Sequence, residues 1–126
     1  LDFEGGTAIG ISRHVVIGKT KTEALQIARP AYARWHQSLV KLWVENQVEG
    51  PAFTRGVISD IDTAMDAGTD IVGDPVTVCD EIIKQIKVLG VNYMLCQFYF
   101  GDMKHEDAMQ SVKFFSDEIM PTVSKL

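Results

Sequence analysis

The stretch that decides the fold runs from Ile71 to Asp102. Its first half is Ile71-Val-Gly-Asp-Pro-Val-Thr-Val-Cys-Asp-Glu-Ile-Ile-Lys-Gln-Ile-Lys-Val-Leu-Gly90, and its second half is Val91-Asn-Tyr-Met-Leu-Cys-Gln-Phe-Tyr-Phe-Gly-Asp102. The first half reads as a capped amphipathic helix. Asp74 is placed to accept a hydrogen bond from the first-turn amides, and Pro75 sits where no amide proton is needed. Val78, Cys79, Ile82, Ile83, Ile86 and Leu89 recur at three- and four-residue intervals and form one apolar stripe. Gly90 supplies the left-handed residue that stops the helix. The second half, Val91 to Phe100, is an almost unbroken apolar and aromatic run, which predicts a strand buried on both faces as in a helix-covered parallel sheet. Helix, glycine, strand, polar turn and helix together give an α/β fold.

Working outward, the 126 residues are expected to form one domain, 1–126, with enough chain to bury a core. Apolar residues make up 46% and charged residues 23%, as in ordinary globular chains, so disorder is not expected. The net charge of −5 gives no basic footprint and argues against nucleic-acid binding. No apolar run approaches the length of a membrane span. The first residue is Leu1 and no signal-peptide pattern follows, so the chain is expected to have been cut or engineered at its start. Cys79 and Cys96 are the two cysteines. Both lie in apolar runs and are read as buried reduced thiols in a cytoplasmic protein, with a disulfide or a nucleophile as the alternative.

Ahead of the central stretch, Leu1 to Thr7 reads as a loop tail. Ile9 to Gly18 reads as a strand closed by glycine, with Arg13 and His14 on opposite faces. A strand histidine is expected to be structural, because a catalytic base needs a positioned partner and the sequence shows none. Thr20 and Glu23 have the spacing of a capping box. The apolar positions from Ala24 to Trp43 then keep a helical period, with a kink or break expected near Ala28 because Pro30 interrupts it. Tyr32, Trp35 and Trp43 are read as a packing stripe rather than a ligand cage.

Val44 to Val57 is expected to be a long loop or insertion. A short acidic helix follows over Ile58 to Ala67, capped by Ser59 or Asp60 and stopped by Gly68. Its aspartates Asp60, Asp62 and Asp66 lack the glycine and terminal glutamate of a calcium loop and are read as a solvated face, with no metal expected. Lys104 to Met120 is the last helix, ended by Pro121. No GxGxxG or GxxxxGK(S/T) phosphate loop, zinc cluster or GxSxG elbow is present. From spacing alone the reading stops at an α/β domain.

Three segments resemble the luciferase-like flavin-dependent monooxygenase family. Arg13-His-Val-Val-Ile-Gly-Lys-Thr-Lys-Thr-Glu-Ala24 is similar to that family's strand and "V-x-x-T-x-x-E-A" helix start. Ile71-Val-Gly-Asp-Pro-Val-Thr-Val78 is similar to its "v-G-(S/T/D)-P-x-x-V" turn. Gly90 to Phe98, Phe100-Gly-Asp102 and Phe114-Phe-Ser-Asp-Glu-Ile-Met-Pro121 are similar to its closing strand and "l-F-a-x-E-V-x-P" terminal helix.

The resemblance implies a (β/α)8 TIM barrel that uses reduced FMN, or F420 in one branch, to oxidise a small organic substrate, with dioxygen in the monooxygenases. A whole barrel needs about 250 residues. This chain, with two strands identified, is therefore expected to hold the last two βα units, strands seven and eight, with an inserted loop and short helix. Barrel sites lie at the carboxyl ends of strands. Those ends are Val16 to Lys19 and Gln97 to Asp102, and Gln97, Tyr99 and Asp102 are the expected cofactor-binding rim, with barrel-end packing or capping of the last helix by Asp102 as the alternative. Exposed strand edges imply a homo-oligomer. The alternatives kept open are an F420- or FMN-dependent oxidoreductase that does not use dioxygen, and a non-catalytic α/β oligomerisation module.

Overall fold

The computed structural model describes residues 6–50 and 58–126. The elements are β1 (Gly10–Ile17), α1 (Lys21–Glu45), α2 (Ile61–Asp66), β2 (Asp70–Gly73), α3 (Pro75–Leu89), β3 (Tyr93–Gln97), α4 (His105–Phe114), a π-helical turn (Phe115–Ile119) and α5 (Met120–Val123). Among the described residues there are three strands rather than the two expected. The sequence reading took Ile71 to Gly73 as part of the turn ahead of α3 and assigned Asp70 to no element. Four residues are too few to display a period, yet all four are buried and pair in parallel with β1.

The sheet is parallel with strand order β2-β1-β3. Consecutive barrel strands would stand in chain order, so β1 lying between the other two departs from the expected arrangement of adjacent βα units. The layers depart as well. Val16 and Val72 pack with Ala24, Ala28, Ala31 and Tyr32 of α1 and with α2, whereas Val15, Ile17 and Ile71 pack with Val78 and Ile82 of α3 and with Ile119. Helices therefore cover both faces, because the β1-to-β2 and β2-to-β3 crossovers run in opposite directions across the sheet.

The caps form largely as the sequence dictates. Thr20 Oγ1 accepts from the Glu23 amide at 3.2 Å, while Glu23 Oε2 reaches back to the Lys19 amide at 2.7 Å. Asp74 Oδ1 accepts from the Thr77 amide at 3.0 Å, and Gly90 ends α3 with φ of 62°. α1 shows no break at Pro30: it runs unbroken to Glu45. Both Pro30 and Gln26, whose carbonyl loses its amide partner, face solvent, so water can take up the orphaned oxygen.

Pro121 likewise does not end the last helix. The π-helical turn immediately ahead of it widens the coil, and α5 continues to Val123. Of the two expected loops, residues 1–5 and 51–57 lie outside the described residues. Val44 and Glu45 belong to α1.

The strand expected to be buried on both faces is not. β3 covers Tyr93 to Gln97, with Tyr93 and Leu95 51% and 49% exposed and Met94 and Cys96 half-buried. β3 is an edge strand, and α1 packs over β1 and β2 instead. An apolar run thus reported burial on one face only. No helix among the described residues is long and apolar enough to cross a membrane.

Candidate functional site

In an open α/β sheet, ligands settle beyond the carboxyl ends of the strands where successive crossovers diverge. Here that place lies between the ends of β1 and β3. α4 crosses it: Ser111 Oγ accepts from the Ile17 amide at 2.9 Å and donates to the Ile17 carbonyl at 3.4 Å. The backbone groups of β1 that extend past the end of β3 are thereby satisfied by a helix side chain rather than by a strand.

The three rim residues named from sequence have different immediate surroundings. Gln97 lies on the α1 face of β3 and donates from Nε2 to Ser12 Oγ at 2.7 Å. Tyr99 is 61% exposed. Asp102 sits in the turn after Gly101 and lines an open cleft of about 500 Å³ between α1 and α4, with Glu23, Pro30, Met103 and Lys104. Asp102 does not cap α4. The cap position is Lys104, and no side-chain cap bond is made there.

A different group of residues is assembled on the same sheet face. In register across the three strands stand Asp70 of β2, His14 of β1 and Gln97 of β3. His14 Nδ1 lies 2.9 Å from Asp70 Oδ1, and the two residues are only 8% and 5% exposed. The Thr69 hydroxyl lies 3.0 Å from both Asp70 Oδ2 and the Ala64 carbonyl, and shares its one proton between them. Aromatic rings surround the imidazole: Phe100 with centroids 4.2 Å away, Trp35 edge-on at 4.5 Å, and Tyr32 edge-on at 6.1 Å.

Burial, followed by the charges of Asp70 and Asp60, pushes the Tyr32 phenol up to about 12. Tyr32 therefore stays protonated, and it donates to the Ile58 carbonyl at 2.6 Å. A carboxylate at Nδ1 fixes the imidazole hydrogen on that nitrogen and leaves Nε2 as the acceptor. Among the described residues no hydrogen-bond partner faces Nε2, and it is not a sealed, unsatisfied atom.

Sequence reasoning gave His14 a structural role because no partner was visible. Asp70 was not singled out at all. The signal that pairs them is strand register, which only the fold supplies. Tyr32 and Trp35, read as a packing stripe, do pack, and what they pack against is this imidazole. On the opposite face Arg13 Nε donates to Gln85 Oε1 of α3 at 2.9 Å, as the two-face reading of Arg13 and His14 requires.

The acidic residues of α2 have structural partners. Asp60 caps the helix through the Thr63 amide at 2.9 Å, and Asp62 accepts from Nε and Nη2 of Arg29. Cys79 and Cys96 are free thiols. Burial raises Cys79 and pushes Cys96 up to about 11.

Comparison with known proteins gives the fold its relatives. No protein-family model matches the chain. The uncharacterized protein y4wF of Sinorhizobium fredii is 26% identical over 115 residues, covering 91% of this chain and 33% of that protein. Two solved structures share the fold. The monooxygenase RslO1 from Streptomyces bottropensis matches with a TM-score of 0.61 and 19% identity, over 91% of this chain and 31% of that one.

The other is the oxygenating constituent of 3,6-diketocamphane monooxygenase from the CAM plasmid of Pseudomonas putida, a type II Baeyer-Villiger enzyme in complex with FMN. It matches with a TM-score of 0.61 and 21% identity, over 89% of this chain and 32% of that one. The chain spans about a third of the length of each relative.

Proposed function

We propose that this chain forms part of a luciferase-like flavin-dependent monooxygenase, contributing a single α/β domain, 1–126, built on a three-stranded parallel sheet, and inactive alone. The observation that carries the reading is its fold likeness to two monooxygenases, one of them in complex with FMN, over about a third of their length. The three sequence segments that resemble the luciferase-like family agree with it. FMN, used in reduced form, is the cofactor of the whole enzyme in this reading, with F420 the alternative where dioxygen is not used. Protein of this kind works in the cytoplasm.

FMN is a planar, anionic ligand, and the residues fit it in part. Tyr99 offers an exposed ring for stacking, and Gln97 offers an amide for hydrogen bonding. The carboxylate of Asp102 suits a ribityl hydroxyl and not the phosphate, since like charges repel. The bound flavin supplies the electrons that activate dioxygen. The chain's own residues bind and orient it at the strand ends.

The test is an anaerobic titration of the chain with FMN, followed by flavin fluorescence, and with reduced FMN, followed by absorbance. Saturable binding that Tyr99→Ala and Asp102→Ala weaken supports the reading. Failure to bind removes these residues from the flavin site and favours the second reading, an α/β oligomerisation module without catalysis. The exposed apolar side chains of β3 are what favour that second reading.

A further inference from the structure

We infer that His14 is a proton-accepting site for a small planar ligand carrying a weakly acidic O–H of the phenol or enol type, with Asp70 as its positioning residue. The inference does not rest on the flavin reading. Three features of the imidazole carry it. Its Nδ1 is committed to Asp70 Oδ1 at 2.9 Å, and the Thr69 hydroxyl, 3.0 Å from the other carboxylate oxygen, shares its proton between that oxygen and the Ala64 carbonyl. Its Nε2 makes no hydrogen bond to a described residue and is not sealed from solvent, although His14 as a whole is more than nine-tenths buried. Its surroundings are aromatic, with Phe100 and Trp35 within 4.5 Å of it, centroid to centroid.

The carboxylate at Nδ1 orients the ring, and Nε2 is left as an acceptor with no hydrogen bond to a described residue. The arrangement matches that of an oriented base: carboxylate, imidazole, open nitrogen. The rings packed around the imidazole suit a planar guest at its open edge, because ring pairs gain from offset and edge-on contact beyond the area they bury. On the same sheet face Ser12 and Gln97 are exposed and bonded to each other, so the approach to the ring is polar while its flanks are apolar.

The step is a proton transfer and nothing more. The ligand O–H bond breaks, its proton goes to His14 Nε2, and the electron pair stays on the ligand oxygen. The imidazolium so formed lies against the Asp70 carboxylate, which offsets its charge. Returning the proton restores both partners.

The charged and titratable groups around the ring are Asp70 from β2 and Tyr32 from α1, with Asp60 of α2 acting on Tyr32. Tyr32 does not compete for the proton, since its hydroxyl is already given to the Ile58 carbonyl.

The probe is 4-nitrophenol, whose anion absorbs in the visible and whose neutral form does not. Added to the chain slightly below the pH at which it ionises in water, it is expected to show a saturable rise in anion absorbance. His14→Gln abolishes that rise, and Asp70→Asn moves its pH profile while leaving some binding. A rise that survives in His14→Gln, or no rise with the wild-type chain, overturns the proposal.

Where His14→Gln fails to fold, the wild-type chain decides by itself through diethyl pyrocarbonate labelling read by mass spectrometry. Labelling of His14 that 4-nitrophenol blocks, while His36 and His105 stay labelled, supports the site. An unreactive His14, or one that 4-nitrophenol does not protect, refutes it.

Discussion

Ser111 of α4 holds Ile17 of β1 by both backbone groups: its hydroxyl accepts from the amide at 2.9 Å and donates to the carbonyl at 3.4 Å. Both residues are fully buried. One side chain thus finishes the edge of the central strand where β3 has already ended. Ser111→Ala leaves a buried amide without a partner and should lower stability by about 1–3 kcal/mol. Urea unfolding measures it. A loss within error would mean that water reaches Ile17.

Gly101 and Gly90 both have φ of 62°, yet they differ in their surroundings. A side chain at Gly90 meets nothing within 4 Å, whereas at Gly101 it would run into the backbone of Ala31 in α1. Gly90→Ala should cost about 1–2 kcal/mol, from the left-handed backbone alone. Gly101→Ala should cost a further ~1–3 kcal/mol through overpacking. Thermal unfolding of the two variants side by side separates the terms, and equal losses would place Gly101 away from α1.

A buried phenol and a half-buried thiol should make the fold sensitive to alkali. Cys96 is pushed from 9.0 to about 11 by burial, and Tyr32 from 10.0 to about 12 by burial and then by the charge of Asp70. In each case folding favours the neutral form. The stability they contribute is full below the unfolded values and is lost as pH rises from about 9 to 11 for Cys96 and from about 10 to 12 for Tyr32. Cys96→Ala should flatten the first part of that decline and Tyr32→Phe the second. Tyr32→Phe should also cost about 0.5–1.5 kcal/mol at neutral pH through the lost bond to Ile58. Denaturation midpoints measured against pH check both.

A second copy of the chain is the proposed cover for β3, where Leu95 is half exposed on a strand with no charged residue to discourage pairing. Size-exclusion chromatography with light scattering should show an oligomer, and Leu95→Lys should return it to the monomer. A wild-type monomer would remove the oligomer from the account.

How much of this was legible in the sequence depends on what each signal measures. Local chemistry was readable: Thr20, Asp74 and Gly90 act where their types and spacing place them, because a cap is settled within four residues. Pro30 and Pro121 misled for the converse reason. Proline removes a local bond, and whether a helix ends there depends on solvent at Gln26 or on a π-helical turn before α5. β2 was missed because four residues carry no period. Its absence hid both the sheet order and the Asp70 that pairs with His14. Gln97, Tyr99 and Asp102 were chosen as strand-end polar residues; β3 ends at Gln97, so Tyr99 and Asp102 stand in the turn beyond it, where residue type alone does not set the direction of a side chain.

The most direct test of the central claim is hydrogen exchange of the chain with and without reduced FMN under anaerobic conditions, read by mass spectrometry at peptide level. The account predicts protection concentrated at the strand ends, in peptides covering Gly18 to Thr20 and Phe98 to Asp102, with the face around Arg13 and Gln85 unchanged. Protection confined to that opposite face, or none at saturating flavin, would contradict it.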